Sequence, residues 1–139
     1  MLKQRSVNRI IDANINRAKE GLRVCEEVCR FALESKKSTI LFKRIRHKLT
    51  RLIKEVGLRV NFIRNRDSLK DAGKGIKADE LKRSGIEDIF MANIQRAKES
   101  VRVLEEFSKL SDVKVSMKFK RLRYSIYEVE KQVLTKLIK

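Results

Sequence analysis

Ile11, Ala18, Leu22, Cys25, Cys29 and Ala32 recur at spacings of three, four and seven, which at 100 degrees per residue puts them on one stripe of an α-helix. The stripe returns in Phe90, Ala97, Val101 and Leu104, with Ser84 ahead of it and Glu87 three residues on as a capping box. Phe42, Ile45, Leu49, Leu52, Ile53 and Val56 form a third stripe, and Phe119, Leu122, Ile126, Val129, Val133 and Leu137 a fourth. No segment sustains period-two alternation between turn signals, so no sheet is predicted. Four amphipathic helices joined by short connections need one another for burial, which predicts an all-α, four-helix bundle-like core.

The stripes come in matched pairs. Ala13 to Glu27 and Ala92 to Glu106 are identical at 11 of 15 positions at an offset of 79, and Phe42 to Leu49 matches Phe119 to Ile126 at an offset of 77. The chain is therefore an internally duplicated helical hairpin. The two-residue change of offset is expected in loops between Glu34 and Leu41 and between Asp112 and Lys118. One helical domain over 1–139 is predicted, with repeat one at about 7–64, a linker at 65–84 holding at most a short helix around Ala78 to Arg83, and repeat two at about 85–139.

Charge narrows the partners more than the fold. The 35 Lys and Arg against 18 Asp and Glu give +17, with nine basic residues and one acid in residues 42–66, so an anion is the expected partner. Nucleic acid, an acidic surface and a phosphorylated small molecule all satisfy that requirement. No apolar run is long enough for a membrane span and no signal-peptide pattern opens the chain, so a cytoplasmic protein without membrane contact is expected. Cys25 and Cys29, the only cysteines, suit buried core thiols in a reducing compartment, and no set of ligands completes a zinc site around them.

Several residues break the pattern. Asn14 lies within its apolar stripe and Asn93 repeats it, each with an arginine (Arg17, Arg96) at the stripe edge; a buried amide must bond the opposite helix, its mate or a ligand. The pair either fixes helix register or contacts a ligand. Gly21 and Ser100 share that face, where small side chains permit a close helix crossing. Glu20, Arg23 and Glu27, with Glu99, Arg102 and Glu106, have the spacing of ion-pair ladders, while Glu26 and Glu105 read as plain surface residues. Arg46 and Arg123 flank their stripes, where a guanidinium can reach inward to a carboxylate or a phosphate. His47, the only histidine, reads as solvent-facing, and its repeat counterpart is Tyr124.

Arg64 to Lys77 reads RNRDSLKDAGKGIK, setting Arg64, Arg66, Lys70, Lys74 and Lys77 among Asp67, Asp71, Gly73 and Gly75. Backbone N–H groups freed by glycine, flanked by cations, can cradle phosphate, and carboxylates can hold magnesium. There is no GxxxxGK[ST], so an ordinary P-loop is excluded.

The ordered segments RIIDANINRAKEGLRVCEEVCRFAL, RIRHKL, RNRDSLKDAG and MANIQRAKESVRVLEEFSKL cover nearly the whole chain. Together they resemble the helical hydroxymethylpyrimidine phosphate kinase domain found alone or fused ahead of thiamine-phosphate synthase. The resemblance implies a thiamine-biosynthesis kinase that moves the ATP γ-phosphoryl group onto hydroxymethylpyrimidine phosphate, with ATP and magnesium as cofactors and thiamine-phosphate synthase as a partner. The positions that match are Asn14, Arg17, Glu20, Arg23 and Glu27; Arg46 and His47; Arg66, Asp67, Asp71 and Gly73; and Asn93, Arg96, Glu99, Arg102, Glu105 and Glu106. Ser68 and Ala72 depart from the family's loop, where valine is expected. Asp67 and Asp71 are then the candidate catalytic or magnesium-binding pair, and Arg17, Arg46, Arg66 and Arg96 the phosphate clamps. Gly73 serves the phosphate loop, Asn14 and Asn93 contact the pyrimidine, and Glu20, Arg23, Glu27, Glu99, Arg102 and Glu106 play a supporting part. A homodimer is the expected state. The rival readings are a nucleic-acid-binding helical module, weakened by the lack of aromatic residues interleaved with the basic run, and a non-catalytic partner of thiamine-phosphate synthase.

Overall fold

A computed structural model describes residues 2–56, 59–75 and 78–138. Among the described residues four long helices and a short one carry the fold: α1 (Leu2–Glu27), α2 (Lys36–Glu55), the short α3 (Arg59–Arg64), α4 (Ile86–Ser108) and α5 (Val113–Leu137). A 3₁₀ turn, Ala78–Leu81, is the short helix expected in the linker. Lys77 lies outside the described residues. Each repeat is a hairpin, α1 with α2 and α4 with α5, and the all-α duplicated bundle is as the stripes predict.

The stripes meet in one cluster in which Leu22, Cys25, Phe42, Leu49, Phe90, Val101, Phe119 and Ile126 are fully or almost fully buried. Phe42 and Phe90 meet edge to face across the repeats, with ring centroids 6.0 Å apart. The most extensive packing in the fold is between α1 and α4, the equivalent helices of the two repeats. Gly21 makes that approach possible, because a Cβ there would stand 2.7 Å from the carbonyl oxygen of Asn93. Only a residue without a side chain fits at that spacing.

Three local expectations are corrected. The winding of α1 loosens into a π-turn over Val28–Ala32, closed by Leu33 N–H donating to Val28 O at 3.0 Å and Ser35 N–H to Cys29 O at 2.9 Å. One residue more per turn rotates the stripe, so Ala32, expected inside, is exposed. Glu34 then takes a left-handed conformation at φ 51° to reverse the chain. The repeats differ in length in this short reversal and at residues 109–112, since α2 already starts at Lys36 and α5 at Val113. Ser35 and Asp112 cap those helices, accepting from Ser38 N–H and from Lys114 and Val115 N–H. At α4 the N-cap is Gly85, and the carboxylate of Asp88, not that of Glu87, accepts the Ser84 N–H at 3.0 Å and its hydroxyl.

Charge is divided between layers. The helices α1 and α4 carry nine cationic and nine acidic side chains between them, whereas α2 and α5 carry fifteen cationic against three acidic. No helix among the described residues is long and apolar enough to cross a membrane.

Candidate functional site

Glu26 and Glu105, expected on the surface, are buried to 3% and 4% exposure, because the second helix of each hairpin covers that side of the first. Arg46 forks onto Glu26 through Nε at 2.7 Å and Nη2 at 3.1 Å, and Arg23 adds a third bond at 3.1 Å. The second repeat builds the same triad, with Arg123 Nε at 3.0 Å and Arg102 Nη1 at 2.6 Å from Glu105. The carboxylate alternative for Arg46 and Arg123 is therefore the one realised. Burial pushes the Glu26 carboxyl up, but the bonds and charges of Arg46 and Arg23 outweigh it and hold it below its ordinary value. The ladder partner of Arg23 is Glu26, neither Glu20 nor Glu27, while Arg102 also reaches Glu106 at 3.1 Å. Glu99 accepts a bond from Gln95 at 3.1 Å.

Asn14 and Asn93 do not bond each other. Each amide Nδ2 donates to the carbonyl four residues back on its own helix, Ile10 and Ile89 respectively, at 2.8 Å. This satisfies one of the two amide N–H donors locally and leaves the other N–H and the amide oxygen as the groups with which a ligand would have to deal.

The symmetry breaks at Asp12, whose counterpart is Met91. Asp12 is buried on α1 and receives Arg66 in a fork, Nε and Nη2 each at 2.6 Å, which ties the linker to the first repeat. The bond from Asp12 raises the Arg66 pKa above its ordinary value. Asn16 Nδ2 donates to the Asp12 backbone carbonyl at 2.9 Å and to its carboxylate Oδ1 at 3.4 Å, and Arg9 Nη2 reaches Asp67 O at 3.5 Å. The loop holds its own shape through Asp67 Oδ1, which accepts Lys70 N–H at 3.1 Å, and Asp71 Oδ1, which accepts Gly73 N–H at 2.8 Å. Sequence reasoning passed over Asp12; its signal was that it is the one acidic residue of α1 whose counterpart in the second repeat, Met91, is apolar.

Between α1 and this loop lies a cavity of about 720 Å³, whose wall includes Arg9, Asn14, Arg17, Glu20, Arg66, Asp67, Ser68 and Asp71. It brings together six of the predicted site residues: Asn14, Arg17, Glu20, Arg66, Asp67 and Asp71. Gly73 sits just outside and shapes the loop through Asp71. Arg46 borders a second cavity of about 500 Å³ between α1 and α2, which shares Glu20 with the first. Arg23 lines that second cavity and Glu27 is half-buried beyond it. Asn93, Arg96, Glu99, Arg102 and Glu106 lie on α4 and line neither cavity, and His47 is exposed on α2.

Three guanidiniums (Arg9, Arg17, Arg66), four carboxylates (Asp12, Glu20, Asp67, Asp71) and the amides of Asn14 and Asn16 thus line one polar pocket on a duplicated helical scaffold. The sequence pattern of the ThiD2 family matches residues 9–132, and the chain belongs to that family. It is also similar to the thiamine-phosphate synthase of Synechocystis sp., 39% identical over 130 residues, which cover 93% of this chain and 36% of that protein. The thiamine-phosphate synthase of Nostoc punctiforme is 37% identical over 132 residues, covering 94% of this chain and 36% of the relative. The chain thus spans about a third of the length of these relatives, and the likeness ties it to proteins of thiamine biosynthesis. No solved structure matches it.

Proposed function

We propose that the protein is a kinase of thiamine biosynthesis that transfers the γ-phosphoryl group of ATP to hydroxymethylpyrimidine phosphate, in the cleft between α1 and the 66–71 loop. The observation that carries this reading is the meeting of Arg9, Arg17 and Arg66 with Asp67 and Asp71 in one cavity, against the family membership. The acceptor is itself a phosphate, whose second pKa is about 6, so at neutral pH it is already a nucleophile and needs no general base. What the reaction needs is relief of repulsion between two anionic groups brought in line. Guanidiniums serve that need. Asp12 holds two N–H groups of Arg66 and leaves the rest of the fork for a phosphate oxygen.

An oxygen of the pyrimidine phosphate forms the new P–O bond as the bond from the γ-phosphorus to the ADP oxygen breaks, and ADP leaves with that electron pair. Magnesium fits here only in the mode that uses one or two carboxylates with waters and substrate phosphates, since no group of three metal-ligating side chains occurs among the described residues. Asp67 and Asp71 would hold it through the oxygens not spent on Lys70 and Gly73 N–H, and when bound it would neutralise phosphate charge.

The test is ATP-dependent formation of the pyrimidine diphosphate by purified protein with magnesium, alongside Arg17→Ala and Asp71→Asn. Product that falls by about a hundredfold or more in both variants is expected from lost charge stabilisation; no product at any substrate concentration would remove the reading. The nucleic-acid alternative is favoured by one observation, the excess of cations on α2 and α5. Oligonucleotide binding that falls steeply with salt, in a protein without turnover, would establish it.

A further inference from the structure

The two repeats build the same pocket wall and use it differently. In the first, Lys19, Glu20, Arg23 and Val24 of α1 and Arg46 and Thr50 of α2 surround the cavity of about 500 Å³. At offsets of 79 and 77 their counterparts are Lys98, Glu99, Arg102, Val103, Arg123 and Tyr127, so only Thr50 differs in residue type. In the second repeat the phenol ring, itself 41% exposed, lies over that wall: Lys98 Nζ stands 5.0 Å and the Arg123 guanidinium carbon 5.9 Å from the centre of the Tyr127 ring. Both approaches fall within cation–π range. The Arg123 Nη1 also donates to the Tyr127 hydroxyl at 3.5 Å.

We infer that the Thr50 pocket takes the planar heteroaromatic ring of a ligand, in the place against the lysine and arginine that the Tyr127 ring takes in the second repeat. The guanidinium that would meet the ring is already fixed, since Arg46 is held on buried Glu26 by two bonds. Threonine at position 50 turns its hydroxyl to the carbonyl of Arg46 at 3.1 Å and leaves the ring-sized volume to a ligand. Because Glu20 lines both cavities, a ring here would lie next to phosphate among Arg9, Arg17 and Arg66. The inference rests on the kinase reading only for the source of the ring, either the pyrimidine of the acceptor or the adenine of ATP.

Thr50→Tyr copies the second repeat's ring into the first, and Thr50→Met fills the same volume with a flexible chain should the ring fail to fold in. Binding of hydroxymethylpyrimidine phosphate, of ADP and of ringless pyrophosphate is measured by calorimetry on the wild type and both variants. One ring-bearing ligand should weaken by about tenfold or more, while pyrophosphate stays within about twofold; whichever ligand responds names the ring. The inference is overturned if the wild type binds neither ring-bearing ligand, if both bind the folded variants as they bind the wild type, or if pyrophosphate weakens equally. Ring binding lost in Thr50→Tyr, in a wild type that makes no diphosphate, would keep the pocket and remove the kinase.

Discussion

Replacing Arg46 by methionine keeps the apolar stem of the side chain and removes the fork from Glu26. The carboxylate is 4% exposed at its side chain and keeps only Arg23, which is 56% exposed and bonds Oε2 alone, so Oε1 loses its Arg46 bond. Breaking a buried pair by removing one partner costs about 3–5 kcal/mol. With Arg23 still in place and Arg46 itself 21% exposed, the lower range applies here, about 2–3 kcal/mol. The double variant Glu26→Met with Arg46→Met should regain most of that loss, because it is the stranded charge, more than the missing attraction, that destabilises. Urea unfolding at pH 7, with the slope checked for constancy, measures all three proteins.

Acid supplies an independent check. The folded pKa of Glu26 lies below its ordinary 4.5, so its contribution is fully present above about that value and is lost as pH falls through the lower folded one. The gap between wild type and Arg46→Met should close over that acid range. A single variant within about 0.5 kcal/mol of wild type would refute the reasoning, as would a double variant that is no better than the single.

Three further outcomes are expected. Gly21→Ala puts a methyl 2.7 Å from the backbone oxygen of Asn93, where a rigid helix must move, so a loss of about 1–3 kcal/mol should appear in thermal unfolding despite alanine's helix preference. Unchanged stability would mean that α1 and α4 do not cross as described. Glu34→Gly relieves the left-handed strain at φ 51° and, after the extra unfolded-state entropy of glycine, should gain about 0.5–1 kcal/mol by the same assay; a loss would contradict the turn geometry. Burial pushes the Cys29 thiol up to about 11 and raises Cys25 further, so native protein at pH 8 should resist a disulfide reagent that labels both cysteines at once in denaturant. Rapid labelling of the native state would place the thiols outside the core.

The helices were legible because each stripe contains enough large residues to fix its phase; Phe42, Leu49, Phe119 and Ile126 could face nowhere else. Gly21 was legible for a similar reason, since a glycine within a strong helix has few explanations. A single helix's periodicity does not show what covers its flank. Glu26 and Glu105 lie off the main stripe and become buried only because α2 and α5 cross over them, a fact of hairpin geometry. Asp12 is likewise covered by a linker that lies far along the chain and is tied through Arg66. The π-turn escaped because a local change of winding leaves no compositional mark, so Ala32 kept the phase of a regular helix on paper and lost it in the fold. Of the candidate site, the loop residues and Asn14, Arg17 and Glu20 were read from their departures from pattern; that they share a cavity while Asn93 and Arg96 do not required the broken symmetry to be seen in three dimensions.

The close crossing of α1 on α4 has a consequence for how the chain could be divided. α1 and α4 pack more extensively on each other than either does on its own hairpin partner. Neither half would therefore bury its apolar face in isolation, and a chain cut within residues 65–84 should yield two fragments that fold only on mixing. The molecule is a pair of related hairpins joined in one chain. Joining the halves frees them from having to be the same, which is what allows a tyrosine to lie over one copy of a pocket wall while a threonine leaves the other open.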